Sequence, residues 1–87
     1  MPRRVDNNQA QIVRALRQAG ASCVSIAMVG KGCPDVLVGY HGQTYLLEIK
    51  GEHGHLTESE RQFHEIWRGQ VAIVHTVDEA LEAIGAI

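Results

Sequence analysis

The first segment of the chain repeats apolar side chains at helical spacing. The apolar stripe consists of Ile12, Val13, Leu16 and Ala19. This period predicts an amphipathic helix over residues 7–19. Asp6 or Asn7 can cap its start, and Gly20 can end it.

Three shorter segments carry the alternating or β-branched patterns that are typical of strands. They are residues 22–29, 35–40 and 43–50, with a glycine-rich loop over 30–34. The pair His41-Gly42 separates the last two strands and favours a two-residue hairpin turn. The segments therefore predict an antiparallel hairpin preceded by one further strand.

Two capping-box patterns mark the remaining helices. Thr57 with Glu60 opens a helix that ends at Gly69, and Thr76 with Glu79 opens the last helix. An apolar run over residues 71–75 predicts a buried strand between them. The apolar residues that we expect these helices to carry into the core are Phe63, Ile66, Trp67, Leu81 and Ile84.

The predicted order of elements is α-β-β-β-α-β-α. It favours an α/β fold with a small mixed sheet flanked by helices, in which the last strand joins in parallel through its crossover helix. The 87 residues are expected to form one domain over residues 1–87. So short a chain lies near the lower limit for folding alone, and a partner subunit would add core.

The composition is that of a globular protein, with 45% apolar and 21% charged residues. No stretch approaches the roughly 18 apolar residues of a membrane span, and the polar start lacks the apolar run of a signal peptide. We therefore expect a cytoplasmic protein without a membrane partner, whose Cys23 and Cys33 are free thiols. A zinc site built from these cysteines with His53 and His55 lacks the usual ligand spacing. The net charge of -2 argues against coating nucleic acid by charge alone but allows local phosphate contacts.

The hairpin predicts where chemistry is concentrated. With a two-residue turn at His41-Gly42, Asp35 falls directly opposite Glu48, and side-chain alternation brings Lys50 to the same face. Two carboxylates so placed repel each other, so a cation between them is expected. Oxygen ligands of this kind suit Mg²⁺ or Mn²⁺. A bulge at Gly42 would instead separate the two acids, and Glu-x-Lys alone is usually a solvated ion pair.

These residues form a pattern that resembles a known superfamily. Pro34-Asp35, then twelve residues, then Glu48-Ile49-Lys50 is similar to the signature of the PD-(D/E)XK nucleases. The flanking Gly-x-Pro-Asp-Val-Leu-Val-Gly and Leu-Leu-Glu-Ile-Lys runs, with Leu56-Thr57 before the next helix, look like the VRR-NUC family in its standalone phage-type form. The resemblance covers nearly the whole chain and implies a restriction-endonuclease-like αβββαβ core.

The resemblance also implies roles for individual residues. Asp35, Glu48 and the backbone carbonyl of Ile49 would bind Mg²⁺ or Mn²⁺, and Lys50 would be catalytic. Gln11 matches the position where many relatives carry a catalytic glutamate, which leaves the number of metal ions open. Many relatives have glutamine where this chain has Glu60.

The implied function is a metal-dependent endonuclease that hydrolyses phosphodiester bonds in DNA. The substrate expected from the resemblance is branched DNA, such as a Holliday junction, and the expected assembly is a homodimer, with exchanged elements as one form of it. Lys31, Arg3 and Arg4 are candidate nucleic-acid contacts. The choice between DNA and RNA stays open.

Two other interpretations remain. The first is a catalytically impaired nucleic-acid-binding module of the same fold, which would bind DNA equally with and without a divalent cation. The second is a small interaction protein with a solvated surface ion pair, which would bind no metal.

Overall fold

Four strands form a mixed sheet in the order β1-β2-β3-β4. The computed structural model describes residues 7–87. Its strands are β1 (Ser22–Ser25), β2 (Val36–Tyr40), β3 (Gln43–Ile49) and β4 (Ala72–Val74). Its helices are α1 (Asn7–Gln18), α2 (Glu58–Ile66) and α3 (Val77–Ala83), with a short 3-10 helix at Ala27–Val29. Within residues 7–87, no helix is both long and apolar enough to cross a membrane.

The predicted order of elements and the mixed α/β character are confirmed. Strands β1, β2 and β3 pair antiparallel, whereas β4 pairs parallel to β3. The parallel pair is joined through α2, because parallel neighbours need a crossover connection. Cys23 and Cys33 are free, as predicted.

The β2–β3 hairpin has the register that the sequence predicts. His41 and Gly42 both adopt positive φ, 49° and 78°, as a type I′ turn requires. Tyr40 pairs with Gln43, and Val38 pairs with Tyr45. The bulge at Gly42 that would have separated the acids is therefore absent from this hairpin.

One face of the sheet carries the hydrophobic core. Helix α1 contacts α3 and β1, and α3 contacts β4, so both helices cover this face. Alternation along β2 and β3 brings every second side chain into the core. The buried apolar residues are Ile12, Leu16, Ala21, Val36, Val38, Leu47, Ile49, Val74, Ala80 and Ile84.

Helix α2 lies at the polar end of the opposite face. It begins at Thr57 with the predicted capping box and approaches the sheet through its first turn. The predicted burial of its later apolar residues is wrong, because Ile66 is 75% exposed and Trp67 is 43% exposed. Phe63 is half-buried and stacks on Trp67, with ring centroids 5.0 Å apart.

The segment after β1 differs from its prediction. The expected strand over residues 22–29 ends at Ser25, after which Ile26 N donates to Asp35 O. The chain then forms the 3-10 helix and a tight turn closed by a hydrogen bond from Cys33 N to Gly30 O. Two residues inside this turn have positive φ: Lys31 at 57° and Gly32 at 77°.

The side chain of Gln70 extends the pairing of β3 beyond the start of β4. Its Oε1 accepts from Leu46 N at 2.6 Å, and its Nε2 donates to Leu46 O at 3.1 Å. The carbonyl of Gln70 in turn accepts from Trp67 Nε1 at 3.0 Å. One amide side chain thus bonds both backbone groups of Leu46.

Candidate metal centre

Asp35 is held against β3 by backbone hydrogen bonds. Asp35 N donates to Leu47 O at 3.1 Å, and Ile49 N donates to Asp35 Oδ2 at 2.8 Å. The carboxylate therefore takes the place of a backbone acceptor and is fixed beside the strand that carries Glu48. The preceding Pro34 is fully buried and restricts the approach of the chain to this position.

Glu48 is a fully buried acid without a hydrogen-bond partner. Its exposed fraction is 0%, and among residues 7–87 neither of its carboxylate oxygens finds a partner. Burial raises the pKa of Glu48, and the Asp35 carboxylate beside it, which repels a second negative charge and can accept a hydrogen bond from the protonated acid, brings that pKa to about 9. The protein alone therefore favours a protonated Glu48 at neutral pH.

Lys50 lies between Glu48 and the first turn of α2. Its Nζ is 3.9 Å from Glu48 Oε2 and 2.7 Å from Glu60 Oε1. Burial lowers the pKa of Lys50, but the hydrogen bond and charge of Glu60, followed by the charges of Glu48 and Asp35, outweigh burial and raise it overall. The side chain therefore presents a positive charge next to the acid pair.

The donor set fits a divalent cation of the hard, oxygen-preferring class. The two Glu48 oxygens have no hydrogen-bond partner among residues 7–87 and lie next to a second carboxylate. A divalent cation can bind there in place of the proton of Glu48. In the described part of the chain, no cluster of three or more His, Cys, Asp or Glu side chains is arranged to hold a metal. A cation here would take its other ligands from the backbone and from water, as Mg²⁺ commonly does. Ile49, whose carbonyl the resemblance assigns as a ligand, lies between Glu48 and Lys50 at the end of β3.

The turn at residues 30–33 packs on the start of α2. A Cβ on Gly32 would lie 2.1 Å from Ser59 O and 2.9 Å from Glu60 N, so the turn and the helix are in backbone contact. Lys31 is exposed on this turn. Of the predicted nucleic-acid contacts, Lys31 is thus adjacent in sequence to Gly32, which packs against the first turn of α2. Arg3 and Arg4 lie outside the described residues.

Gln11 lies in a groove that adjoins the end of β3 through Asn8, whose side chain bonds Lys50 O. It is exposed on α1 and lines a groove of about 350 Å³ with Asn8, Ile12 and residues 75–78. Asp35 and Glu48 do not line this groove. A catalytic role for Gln11 stays a prediction.

Two side-chain contacts that the sequence did not predict hold the site together, one made by Asn8 and one by Glu60. Asn8 Nδ2 donates to Lys50 O at 2.9 Å and to His75 O at 3.0 Å, which ties α1 to the ends of β3 and β4. Glu60 bonds Lys50. This contact was not predicted, because the capping box already explains a glutamate at this position. In both cases the sequence signal was that of a helix start, which does not reveal a contact with a distant strand.

Comparison of the chain with protein-family models, with curated proteins and with solved structures finds no match. The pair formed by Asp35 and the buried Glu48, with the adjacent Lys50, is therefore the feature of the described residues from which we infer a function.

Proposed function

We propose that the chain is a metal-dependent endonuclease that hydrolyses phosphodiester bonds in DNA. The observation that carries the proposal is the fully buried carboxylate of Glu48 beside Asp35, which has no hydrogen-bond partner among residues 7–87. A buried acid in this position is costly when ionised unless a cation compensates it. Lys50 adjoins the same pair. A lysine is the type of residue expected where a phosphate is bound.

In this proposal each residue has one task. Asp35, Glu48 and the Ile49 carbonyl hold Mg²⁺ or Mn²⁺, which when bound stabilises the negative charge that develops on the phosphoryl oxygens. Lys50 supplies a second positive charge to the same phosphate. In the hydrolysis, the oxygen of water forms a bond to phosphorus as the bond to the leaving oxygen breaks, and a proton passes to that oxygen.

Element order and motif both support a nuclease fold. We infer a restriction-endonuclease-like topology of the VRR-NUC type, because Pro34-Asp35 and Glu48-Ile49-Lys50 stand at the polar end of adjacent strands.

The DNA contact is proposed to be local. The chain has a formal net charge of -2, so wide electrostatic coating is unfavourable. We propose that Lys31, exposed on the turn that packs against α2, contacts a neighbouring phosphate of the DNA. Arg3 and Arg4 are proposed to extend this contact.

We propose a homodimer that acts on branched DNA. Two sites related by a two-fold axis would address two strands of a junction. Several apolar side chains are exposed and available for contact with such a partner: Val24, Ile66, Trp67 and Ile73. A second copy would also supply the core that a chain of this length has in short supply.

The test is cleavage of labelled four-way-junction, flap and duplex DNA in Mg²⁺, in Mn²⁺ and in chelator. We expect metal-dependent cleavage that falls at least about 100-fold in Asp35→Asn and in Lys50→Ala, since each removes a group that acts on the transition state. Glu79→Gln is the control, because Glu79 is an acid that is 47% exposed and bonds His75 rather than a residue of the site.

Each other outcome has a definite meaning. Cleavage that survives both substitutions would refute the assignment of the site. DNA binding without cleavage, equal with and without a divalent cation, would favour the impaired binding module. Failure to bind either DNA or metal would favour the small interaction protein.

A further inference from the structure

The Glu60 carboxylate takes part in two separate interactions. Within the capping box, Thr57 N donates to Glu60 Oε1 at 2.8 Å, and Glu60 N donates to Thr57 Oγ1 at 3.2 Å. The same Oε1 also accepts from Lys50 Nζ at 2.7 Å. Capping requires only the first interaction, so the contact with Lys50 has to be explained separately.

Helix α3 begins with the same Thr-x-x-Glu spacing, but only the Thr76 half of the capping box forms there. Glu79 follows Thr76 at the same spacing, and Glu79 N donates to Thr76 Oγ1 at 3.1 Å. Its carboxylate bonds His75 N at 2.8 Å and is 47% exposed, with no lysine among its bonded partners in residues 7–87. The ion pair at Glu60 is therefore not a consequence of the capping pattern.

The Glu60–Lys50 pair is also placed unlike an ordinary surface ion pair. The two side chains are 12% and 14% exposed, and they join the first turn of α2 to the end of β3. Exposed lysine pairs contribute little because both side chains stay mobile, whereas a largely buried pair fixes the geometry of its members. The backbone contact of Gly32 with Ser59 holds this turn of α2 in place.

Two distances show the effect on the acid pair. Lys50 Nζ is 2.7 Å from Glu60 Oε1 but 3.9 Å from Glu48 Oε2. When Glu48 is ionised, as binding of a divalent cation requires, an ammonium group released from Glu60 would be drawn onto its oxygens and would compete with the cation for them. Glu60 thus keeps the lysine beside the acid pair without letting it occupy the pair.

We propose that Glu60 is a positioning residue that holds Lys50 away from Glu48 and so keeps the Asp35–Glu48 pair open for a divalent cation. The inference rests on the proposed metal-dependent function of this site. It assigns to the first turn of α2 a role in metal affinity, although Glu60 itself need not touch the metal.

The experiment measures the affinity of the full chain for Mn²⁺ alone by titration calorimetry. Glu60→Ala is expected to bind Mn²⁺ about 10-fold more weakly than wild type, as for other residues that support metal ligands. Glu60→Gln is expected to retain most of the affinity, because its amide oxygen can accept from both Thr57 N and Lys50 Nζ. Thr57→Ala is the control for loss of the cap, and its affinity is expected to be unchanged.

A double-substitution cycle separates positioning from the charge of Glu60 itself. In the Lys50→Ala background, Glu60→Ala should no longer weaken Mn²⁺ binding, because the lysine that Glu60 restrains is gone. An equal loss of affinity in both backgrounds would overturn the proposal, since Glu60 would then act by its own charge. An equal loss in Thr57→Ala would overturn it as well, since α2 would then act only as a structural support.

Failure of the underlying function gives a different result. If wild type does not bind Mn²⁺, the metal site and its nuclease activity are both refuted, together with the role of Glu60. If wild type binds Mn²⁺ and cuts DNA while Glu60→Ala does both equally well, the role of Glu60 alone is refuted.

Discussion

At the scale of single residues, the Glu48 carboxyl group is at odds with its surroundings. It is fully buried, adjoins Asp35 and has Lys50 as its nearest positive charge at 3.9 Å. Its ionised form needs compensation that the described residues supply only in part. Glu48 is therefore expected to exchange its proton for a divalent cation. Its contribution to the free energy of unfolding should depend on the pH and on the presence of that cation.

The substitution Glu48→Gln tests this conflict. Because folding raises the pKa of Glu48 from 4.5 to about 9, the folded state binds the proton more tightly, and stability is lost as the pH rises through this interval. Between pH 5 and 8 in chelator, we expect the unfolding free energy of wild type to fall by up to about 1.4 kcal/mol per pH unit. Urea denaturation of Glu48→Gln should show little of this decline.

The neighbouring acid has the opposite dependence and does not interfere. Burial raises the pKa of Glu60, but its hydrogen bonds with Lys50 and Thr57 outweigh burial and lower it, so its contribution to stability is lost only as the pH falls below about 4.5.

Added Mg²⁺ should restore the stability of the wild type at pH 8 and leave that of Glu48→Gln unchanged. A flat wild-type profile in chelator would contradict the prediction.

What the sequence revealed at this scale followed from local rules. The turn at His41-Gly42 determined the register, which runs as predicted up to the Val36–Leu47 pair, and Asp35 follows there with its N–H bonded to Leu47 O. The bond between Glu60 and Lys50 could not be predicted, because a capping box already explains a glutamate at that position. Asn8 was hidden for the same reason, since asparagine is expected near any helix start.

At the scale of elements, the turn at residues 30–33 and α2 act as one unit. Gly32 has φ of 77° and its Cα lies against the backbone of Ser59. A side chain at this position would meet two obstacles: an unfavourable backbone conformation and a carbonyl oxygen that belongs to a helix. The spacing between the turn and α2 therefore depends on glycine.

Gly32→Ala is expected to destabilise the protein by about 2–4 kcal/mol, because left-handed strain adds to a backbone overlap that only movement of α2 can relieve. Gly85→Ala is the matched control: Gly85 has φ of 74° but no atom within 4 Å of the added Cβ. That variant should lose only about 1–2 kcal/mol of strain. Equal losses in thermal or urea unfolding would show that the turn does not press on α2.

Element predictions failed where local pattern does not determine what covers a face. Residues 22–29 are rich in strand formers, but the strand ends at Ser25, and Met28 is 97% exposed. The periodicity of α2 correctly indicated an apolar side, whereas its burial depends on the partner that this side meets. Hairpin and capping signals succeeded because turn and cap are decided by a few adjacent residues.

At the scale of the whole molecule, the two faces of the sheet are unequally covered. One face carries the core under α1 and α3, whereas the α2 side leaves Ile66, Trp67 and Ile73 exposed. Exposed apolar groups of this size are typical of interaction sites when they adjoin one another. The proposed homodimer would cover them with a second copy of the chain.

Ile66→Asp is expected to weaken self-association at least about tenfold in dissociation constant, because a charge in a buried interface must lose its hydration. Sedimentation equilibrium measures this directly. Ile87→Asp is the control, since Ile87 is similarly exposed, at 68% against 75%, but lies in the segment after α3. A monomeric wild type would refute the dimer while leaving the metal centre untouched.

Gln70 has a consequence that goes beyond the fold. Because β4 begins opposite Leu47, the first half of β3 would offer free backbone donors and acceptors on that side. Unprotected strand edges invite the addition of a foreign strand and, through it, aggregation. By bonding both backbone groups of Leu46, the Gln70 amide occupies the donor and the acceptor that an added strand would need at this position. A small protein with exposed apolar side chains has a particular need of that protection in its folded state.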